Sequence, residues 1–416
     1  MESEIKSSTR ICPLTPVSKA GLSLHFRPNP ILVAVSLTFI LMASGLVYYW
    51  MLPLPAEETP NAVIAIDGDA DFSDTALLEG WPGDGSPENP YIVEGLDIDP
   101  GGAIGHCILI ENTGVSFIIR NCNLTGASSY LLGIINAGIT LVNVSGGLLV
   151  NNFFHQNMAG IYLADSRSNT VVNNTFHDNS WGICLADSLS NTVVNNTFFY
   201  ARMHYGSTGI DLENSHLNNI VNNTCNVTSV GICVDGSGPN TLVNNTCSNA
   251  EIGIYLYESE SNTVANNTCN SNDMGIHLLF SESNTIENNN CFNNTEHGIY
   301  ILYSENNTLS DNTCNRNRIG IYLRRSDFNI VASNTCNDNN IGIYFFIETD
   351  SHNNMVDNTY LNNNEQDLVE EFYTREEDPE VPEIPLLFEF AGFIGFIVIT
   401  LLAGLDVGGQ LSKGGS

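Results

Sequence analysis

Ten times between residues 138 and 342, a glycine is followed by isoleucine: Gly138, Gly160, Gly182, Gly209, Gly231, Gly253, Gly275, Gly298, Gly320 and Gly342. The steps between them are 22, 22, 27, 22, 22, 22, 23, 22 and 22 residues. Two residues beyond each isoleucine from Gly160 onward stands Leu163, Leu185, Leu212, Val234, Leu256, Leu278, Ile301, Leu323 or Phe345. Apolar–x–apolar is the alternation of a short strand. A second apolar row follows eleven residues after the glycine, through Val171, Val193, Ile220, Leu242, Val264, Ile286, Leu309 and Val331. A third comes sixteen after it: Phe154, Phe176 and Phe198, then Cys225, Cys247, Cys269, Cys291, Cys314 and Cys336. Asn, Ser, Asp and Gly, all turn formers, fill the gaps. Three short strands and three turns fit this period and a helix does not, since strong helix formers are scarce in it. One coil per period, stacked at ~4.8 Å, predicts an all-β solenoid of parallel strands around a continuous dry core.

Fourteen residues after each glycine lies Asn152, Asn174, Asn196, Asn223, Asn245, Asn267, Asn289, Asn312 or Asn334. Stacked coils place these amides in register, so each can donate to one neighbour and accept from the other. Asparagine also tolerates left-handed backbone at sharp corners. The Asn column therefore reads as structural.

Composition changes the picture at the surface and the ends. Charged residues are only 14% of the chain, and the formal net charge is −33. The three lysines, Lys6, Lys19 and Lys413, lie near the termini. Such a surface repels phosphate backbones and excludes nucleic acid as a partner. Residues 31–52 form an uncharged apolar stretch long enough to cross a bilayer, preceded by Lys6, Arg10, Lys19 and Arg27. This pattern predicts a signal anchor with residues 1–30 cytoplasmic and the bulk of the chain outside. A second apolar stretch, 386–404, predicts a C-terminal membrane helix, with 405–416 as its tail and the acidic run 365–385 as a juxtamembrane linker.

The phrase "GIYLADSRSNTVVNNTFHDN" from Gly160 and its copies resemble the right-handed parallel β-helix family, in particular NosD-like proteins and the carbohydrate-binding and sugar-hydrolase repeats. "AIDGDADF" and "GWPGDGSPENPYIVEGLDI" resemble the opening segment of archaeal cell-surface members. The resemblance implies a right-handed parallel β-helix of eleven or twelve coils, about 55 Å long. Residues 53–104 would be linker and N-terminal cap, and 105–364 the repeats. It fixes no activity, because the family includes lyases, hydrolases, epimerases, adhesins and transport accessories.

Candidate chemistry is sparse. The column Cys225, Cys247, Cys269, Cys291, Cys314 and Cys336 reads as buried reduced thiols, with disulfides or a thiolate site for copper as alternatives. The resemblance suggests copper, but no CxxC, clustered Met or ligand-spaced His pair appears, so neither copper nor calcium is supported. His155 and His177 fall at equivalent places in adjacent coils and read as an exposed polar pair. A polysaccharide lyase or pectinase pattern of clustered acids with a basic partner is missing, and the recurrent Asp165 and Asp187 read as turn residues. No catalytic residue is assigned.

The strongest local anomaly is aromatic and basic. Tyr300, Tyr322 and Tyr344 occupy one outward position in three consecutive coils. Arg316, Arg318, Arg324 and Arg325 bracket Tyr322, and are four of eight arginines between residues 55 and 384. Such a face either stacks on sugar rings and pairs with an acidic glycan or serves packing and local neutralisation. Glycosylation acceptors begin at Asn123, Asn143, Asn173, Asn195, Asn222, Asn226, Asn244, Asn266, Asn293 and Asn306. The leading expectation is a non-enzymatic, membrane-anchored envelope protein that binds glycans. A polysaccharide-active enzyme and a NosD-like copper or solute-export accessory are the alternatives.

Overall fold

The computed structural model describes residues 62–373, except for 102–104, 129, 132–133, 200–206, 227–228 and 349–351. The expected membrane segments 31–52 and 386–404 lie outside the described residues. Within those, no helix is long and apolar enough to cross a membrane.

Three parallel sheets of 13, 12 and 12 strands run the length of the solenoid, and Tyr130–Leu131 with Ile134–Ile135 form a separate antiparallel pair. Each sheet takes one strand per coil. In one coil these are Ala159–Ala164, Thr170–Val172 and Thr175–His177. Each strand pairs in register with the strand one period later, as in Ile161 with Ile183, Val171 with Val193, and Phe154 with Phe176. The three apolar rows therefore become three columns facing one core. Ile161, Ile183, Ile210 and Ile232 are fully buried, as are Val171, Val193, Ile220 and Leu242.

The third column explains the glycine. Phe154, Phe176 and Phe198 stack at 4.9 and 4.6 Å between ring centroids. A Cβ placed on Gly138 would lie 2.6 Å from the Phe154 ring and 2.8 Å from the Gly160 carbonyl oxygen. The glycine is needed for this close approach, since its φ is ordinary. From Cys225 onward the column continues as six buried thiols.

The corners are tied by more ladders than the single Asn column. Asn152 to Asn334 form one, between the second and third sheets. Asn169, Asn191, Asn218, Asn240, Asn262, Asn284, Asn307 and Asn329 form another, where the chain enters the second sheet. Ser166, Ser188, Ser215, Ser237 and Ser259 run beside it. In each rung a side-chain oxygen accepts the backbone N–H of the preceding coil. These buried donors would otherwise lack partners.

Both ends of the solenoid differ from expectation. Helix α1, Asp69–Glu79, closes the N-terminal end; the repeat pattern gave no hint of it. Phe72 and Ala76 turn inward from it, and Phe72 packs on Tyr91 and Phe117, both at 5.2 Å. Asp69 accepts from Thr113 Oγ1 at 2.6 Å and from Gly114 N–H at 3.1 Å, which holds its carboxyl below the usual range. The region expected to be linker and cap already supplies the strands Ile64–Asp67, Tyr91–Glu94 and Asp97–Ile98. At the other end, residues 366–373 were expected in an acidic linker. They instead add a thirteenth strand to the first sheet, pairing Ile343 with Leu368 and Phe345 with Glu370.

Candidate functional site

Strand alternation in the first sheet turns one residue per coil outward between two core residues, such as Tyr322 between Ile321 and Leu323. From the strand Ile252–Tyr257 on, this position holds Tyr255, His277, Tyr300, Tyr322 and Tyr344. The five rings form one stack along the rod. Their centroids are separated by 5.1, 4.8, 5.0 and 4.8 Å. His297 lies beside the stack, 4.9 Å from Tyr300 and 5.4 Å from Tyr322. Tyr344 continues the contact by donating to Glu371 at 2.5 Å.

His277 is 1% exposed, and neither of its ring nitrogens has a hydrogen-bond partner. Burial between two tyrosine rings pushes its pKa down to about 3. Burial likewise lowers His297 to about 4, opposed by Glu296 and reinforced by Arg318. Both imidazoles are neutral in the folded protein at ordinary pH.

The four arginines do not form one patch. Arg318 and Arg324 stand at opposite ends of the strand that carries Tyr322, and both act electrostatically on its hydroxyl. Arg318 is bridged to Glu296 at 2.5 Å. Arg324 lies 5.8 Å over the Phe346 ring. Arg325 occupies the following corner, donates to the Tyr303 hydroxyl and lies 5.6 Å over that ring. Arg316 sits at the corner after the third-sheet strand Thr313–Asn315, away from the tyrosines.

Sequence reasoning missed an acidic group on the same face. Asp211 and Glu213 both point outward from the strand Thr208–Glu213, and Asp235 pairs beside Glu213 in the next coil. Cys184 and Cys233 flank Asp211. Burial raises Asp211 to about 6, and burial with mutual repulsion raises Glu213 and Asp235 to about 7. The available signal was the placement of Asp211 in the outward row that otherwise holds Tyr and Cys. By contrast, Asp165 and Asp187 occupy left-handed corners with φ of 49° and 48°, as turn residues do.

The thiol column Cys225 to Cys336 is sealed in the core, every member at 0% exposure. Burial pushes the Cys225 and Cys314 thiols well up. His155 and His177 pair across adjacent coils, with His155 within 3.2 Å of Thr125 Oγ1. The acceptor asparagines Asn173, Asn195, Asn222, Asn244 and Asn266 form an exposed column of left-handed residues. Asn143, Asn293 and Asn306 are also exposed and left-handed, whereas Asn123 and Asn226 are half-buried in third-sheet strands.

Two family models match the chain. One, described as periplasmic copper-binding protein (NosD), covers residues 200–371. The other, right handed beta helix region, covers 106–269. No match is found among curated proteins. Among solved structures, the A-module of mannuronan C-5 epimerase AlgE4 from Azotobacter vinelandii is 13% identical over 74% of this chain and 94% of that chain, with a TM-score of 0.45. The periplasmic alginate epimerase AlgG is 16% identical over 72% and 85%, with a TM-score of 0.48. PfbA, a surface adhesin of Streptococcus pneumoniae, is 12% identical over 65% and 84%, with a TM-score of 0.45. Copper, named in the first family description, finds no donor set among the described residues. No three His, Cys, Asp or Glu side chains converge there, and the thiol column is closed to a metal. The two family matches together run from residue 106 to 371; the chain folds as a right-handed parallel β-helix and is similar to NosD over residues 200–371.

Proposed function

We propose that the protein is a membrane-anchored, extracytoplasmic rod that binds glycan chains along the outer face of its first sheet. The observation that carries this reading is the Tyr255–His277–Tyr300–Tyr322–Tyr344 stack. Soluble sheets normally solvate an outward face with polar side chains. Here the outward position carries rings at one-coil intervals; their faces cover one another, and the edges of the half-buried Tyr255, Tyr322 and Tyr344 are what a sugar chain would meet. The ~4.8 Å rise per coil is close to the repeat of a sugar residue in an extended polysaccharide. The apolar stretches 31–52 and 386–404 and the word periplasmic in the matched family description support a position outside the cytoplasm.

Screening the purified protein against neutral and acidic polysaccharides tests the reading. Binding that falls about tenfold in Tyr322→Ala supports it, and absence of binding to every glycan removes it.

A second reading is favoured by Asp211, Glu213 and Asp235. Carboxyls with pKa values near 6 and 7 are suited to proton transfer at neutral pH. They lie on the same outer face as the ring stack. A polysaccharide-active enzyme would cleave or modify a bound chain there. Release of reducing ends or unsaturated sugars by wild type but not by Asp211→Asn would establish it.

A further inference from the structure

Between Gly147 and Ala265 the second sheet turns two columns outward. One runs through Leu148, Thr170, Thr192, Asn219, Thr241 and Thr263. The other runs through Val150, Val172, Val194, Val221, Val243 and Ala265. Neither column holds a charged residue. The run is bounded by Arg120 one coil before it and Glu287 one coil after it. The five valines are only half-buried.

Strand preference favours β-branched residues here, but it does not decide between an aliphatic and a polar outer face. The third sheet makes the comparison within the same coils. Where the second sheet carries Val221, Val243 and Ala265, the third carries outward Asn226, Ser248 and Asn270. A soluble sheet solvates its free face with polar side chains, as the third sheet does. The second sheet instead keeps an unbroken aliphatic line. Leu189 and Leu217, 41% and 58% exposed, widen it at the corner that leads into the sheet. A continuous apolar stripe of this kind marks a contact surface.

We infer that the second sheet is the face through which two copies of this chain associate side by side. Two properties of the stripe select a second copy as its occupant. Its methyl groups form ridges one coil apart, at ~4.8 Å, and a surface with the same repeat interdigitates with them along the whole stripe. A second copy has that repeat. A two-fold axis parallel to the rods lays the valine column of each copy over the threonine column of the other, which is a self-complementary contact. The second property is charge. A chain of net charge −33 repels its own copies, and this stripe brings no carboxylate into the contact. The stripe is about 30 Å long and, with its entry corner, about 15 Å wide, so the pair buries on the order of 900 Å² in total. That area lies at the low end for a specific contact and gives a weak, reversible pair. The inference goes beyond the glycan reading, which concerns the first sheet, and does not depend on it.

The test is sedimentation equilibrium of the full-length protein in mild detergent across a salt series, together with crosslinking. One variant is Val194→Glu/Val221→Glu. Glutamate already stands in this column at Glu287, so the variant should stay folded, as checked by its melting temperature. Two others place a thiol in one coil, Val243→Cys on the second sheet and Ser248→Cys on the third, each with Cys12→Ser. The described cysteines are all buried, so the new thiol is the one a short bis-maleimide reaches. Wild type should show a monomer–dimer equilibrium that tightens severalfold as salt screens the repulsion between copies. The glutamate pair should weaken it at least tenfold. The crosslinker should join two copies through Val243→Cys and not through Ser248→Cys. A wild type that is monomeric throughout, a pair that salt weakens, or a folded glutamate variant that pairs like wild type overturns the inference. Equal crosslinking through the two thiols overturns it as well, whether or not the glutamate variant folds.

Discussion

Asn174 sits one coil before Asn196, and both its backbone N–H and its side-chain amide donate to the Asn196 side-chain oxygen, at 2.9 and 3.1 Å. The Asn174 amide also donates back to the Leu149 carbonyl, at 2.9 Å. One rung therefore ties three coils. Asn196→Ala strands the Asn174 backbone N–H and the Val171 carbonyl, which Asn196 serves at 2.9 Å, while the Asn174 amide keeps the Leu149 and Val172 carbonyls. Orphaned buried groups of this kind cost about 1–3 kcal/mol each. We expect a loss of the order of 3 kcal/mol, read as a lower denaturation midpoint. The same change at Asn358, in the last coil and half-buried, should cost clearly less.

The thiol column should be silent. Cys225, Cys247, Cys269, Cys291, Cys314 and Cys336 are all buried and free. In native protein, none of these six should react with a thiol reagent, and all should react after denaturation. Mass spectrometry of alkylated peptides checks this. A disulfide within the column would appear as a pair resistant to alkylation without reductant.

His277 makes the fold acid-sensitive. Its folded pKa of about 3 lies below the ordinary 6.5, so the fold disfavours the charged ring. Stability from this site is complete above about pH 6.5 and is lost as pH falls toward 3. His277→Tyr continues the tyrosine stack without a titrating ring. Its melting temperature should fall less than that of wild type between pH 6.5 and 4, as read by thermal melts across pH.

The carboxyl group on the same face acts with opposite sign. Asp211, Glu213 and Asp235 have folded values of about 6, 7 and 7, against ordinary values of 3.8 and 4.5. The fold favours their protonated forms, so this contribution is present at low pH and lost as pH rises from about 4 to 7. Asp211→Asn should therefore raise the melting temperature at about pH 8 and leave it nearly unchanged at about pH 4.

The coils were legible because their physics repeats. Ile161, Val171 and Phe176 each recur one period on, and parallel stacking turns recurrence into columns. Features that occur once were not legible. Helix α1 buries only Phe72 and Ala76 and leaves Leu77 and Leu78 exposed, so its sequence shows no apolar face. The strand Gln366–Tyr373 carries Asp367, Glu370 and Glu371, which resemble a linker until the first sheet is seen to need a partner for Ile341–Glu348. Asp211 and Asp235 stand at different offsets in successive coils, and the burial that shifts them depends on three-dimensional packing. Arg316 is close to Tyr322 in sequence but turns at another corner.

The central claim is that ligand lies on the outer face of the first sheet. Hydroxyl-radical footprinting with and without saturating polygalacturonate tests it most directly. The account predicts protection of Tyr255, Tyr322 and Tyr344, with Phe153 and Phe199 of the third sheet, 40% and 39% exposed, labelled equally in both states. Protection of Phe153 and Phe199 with the tyrosines unchanged would contradict it.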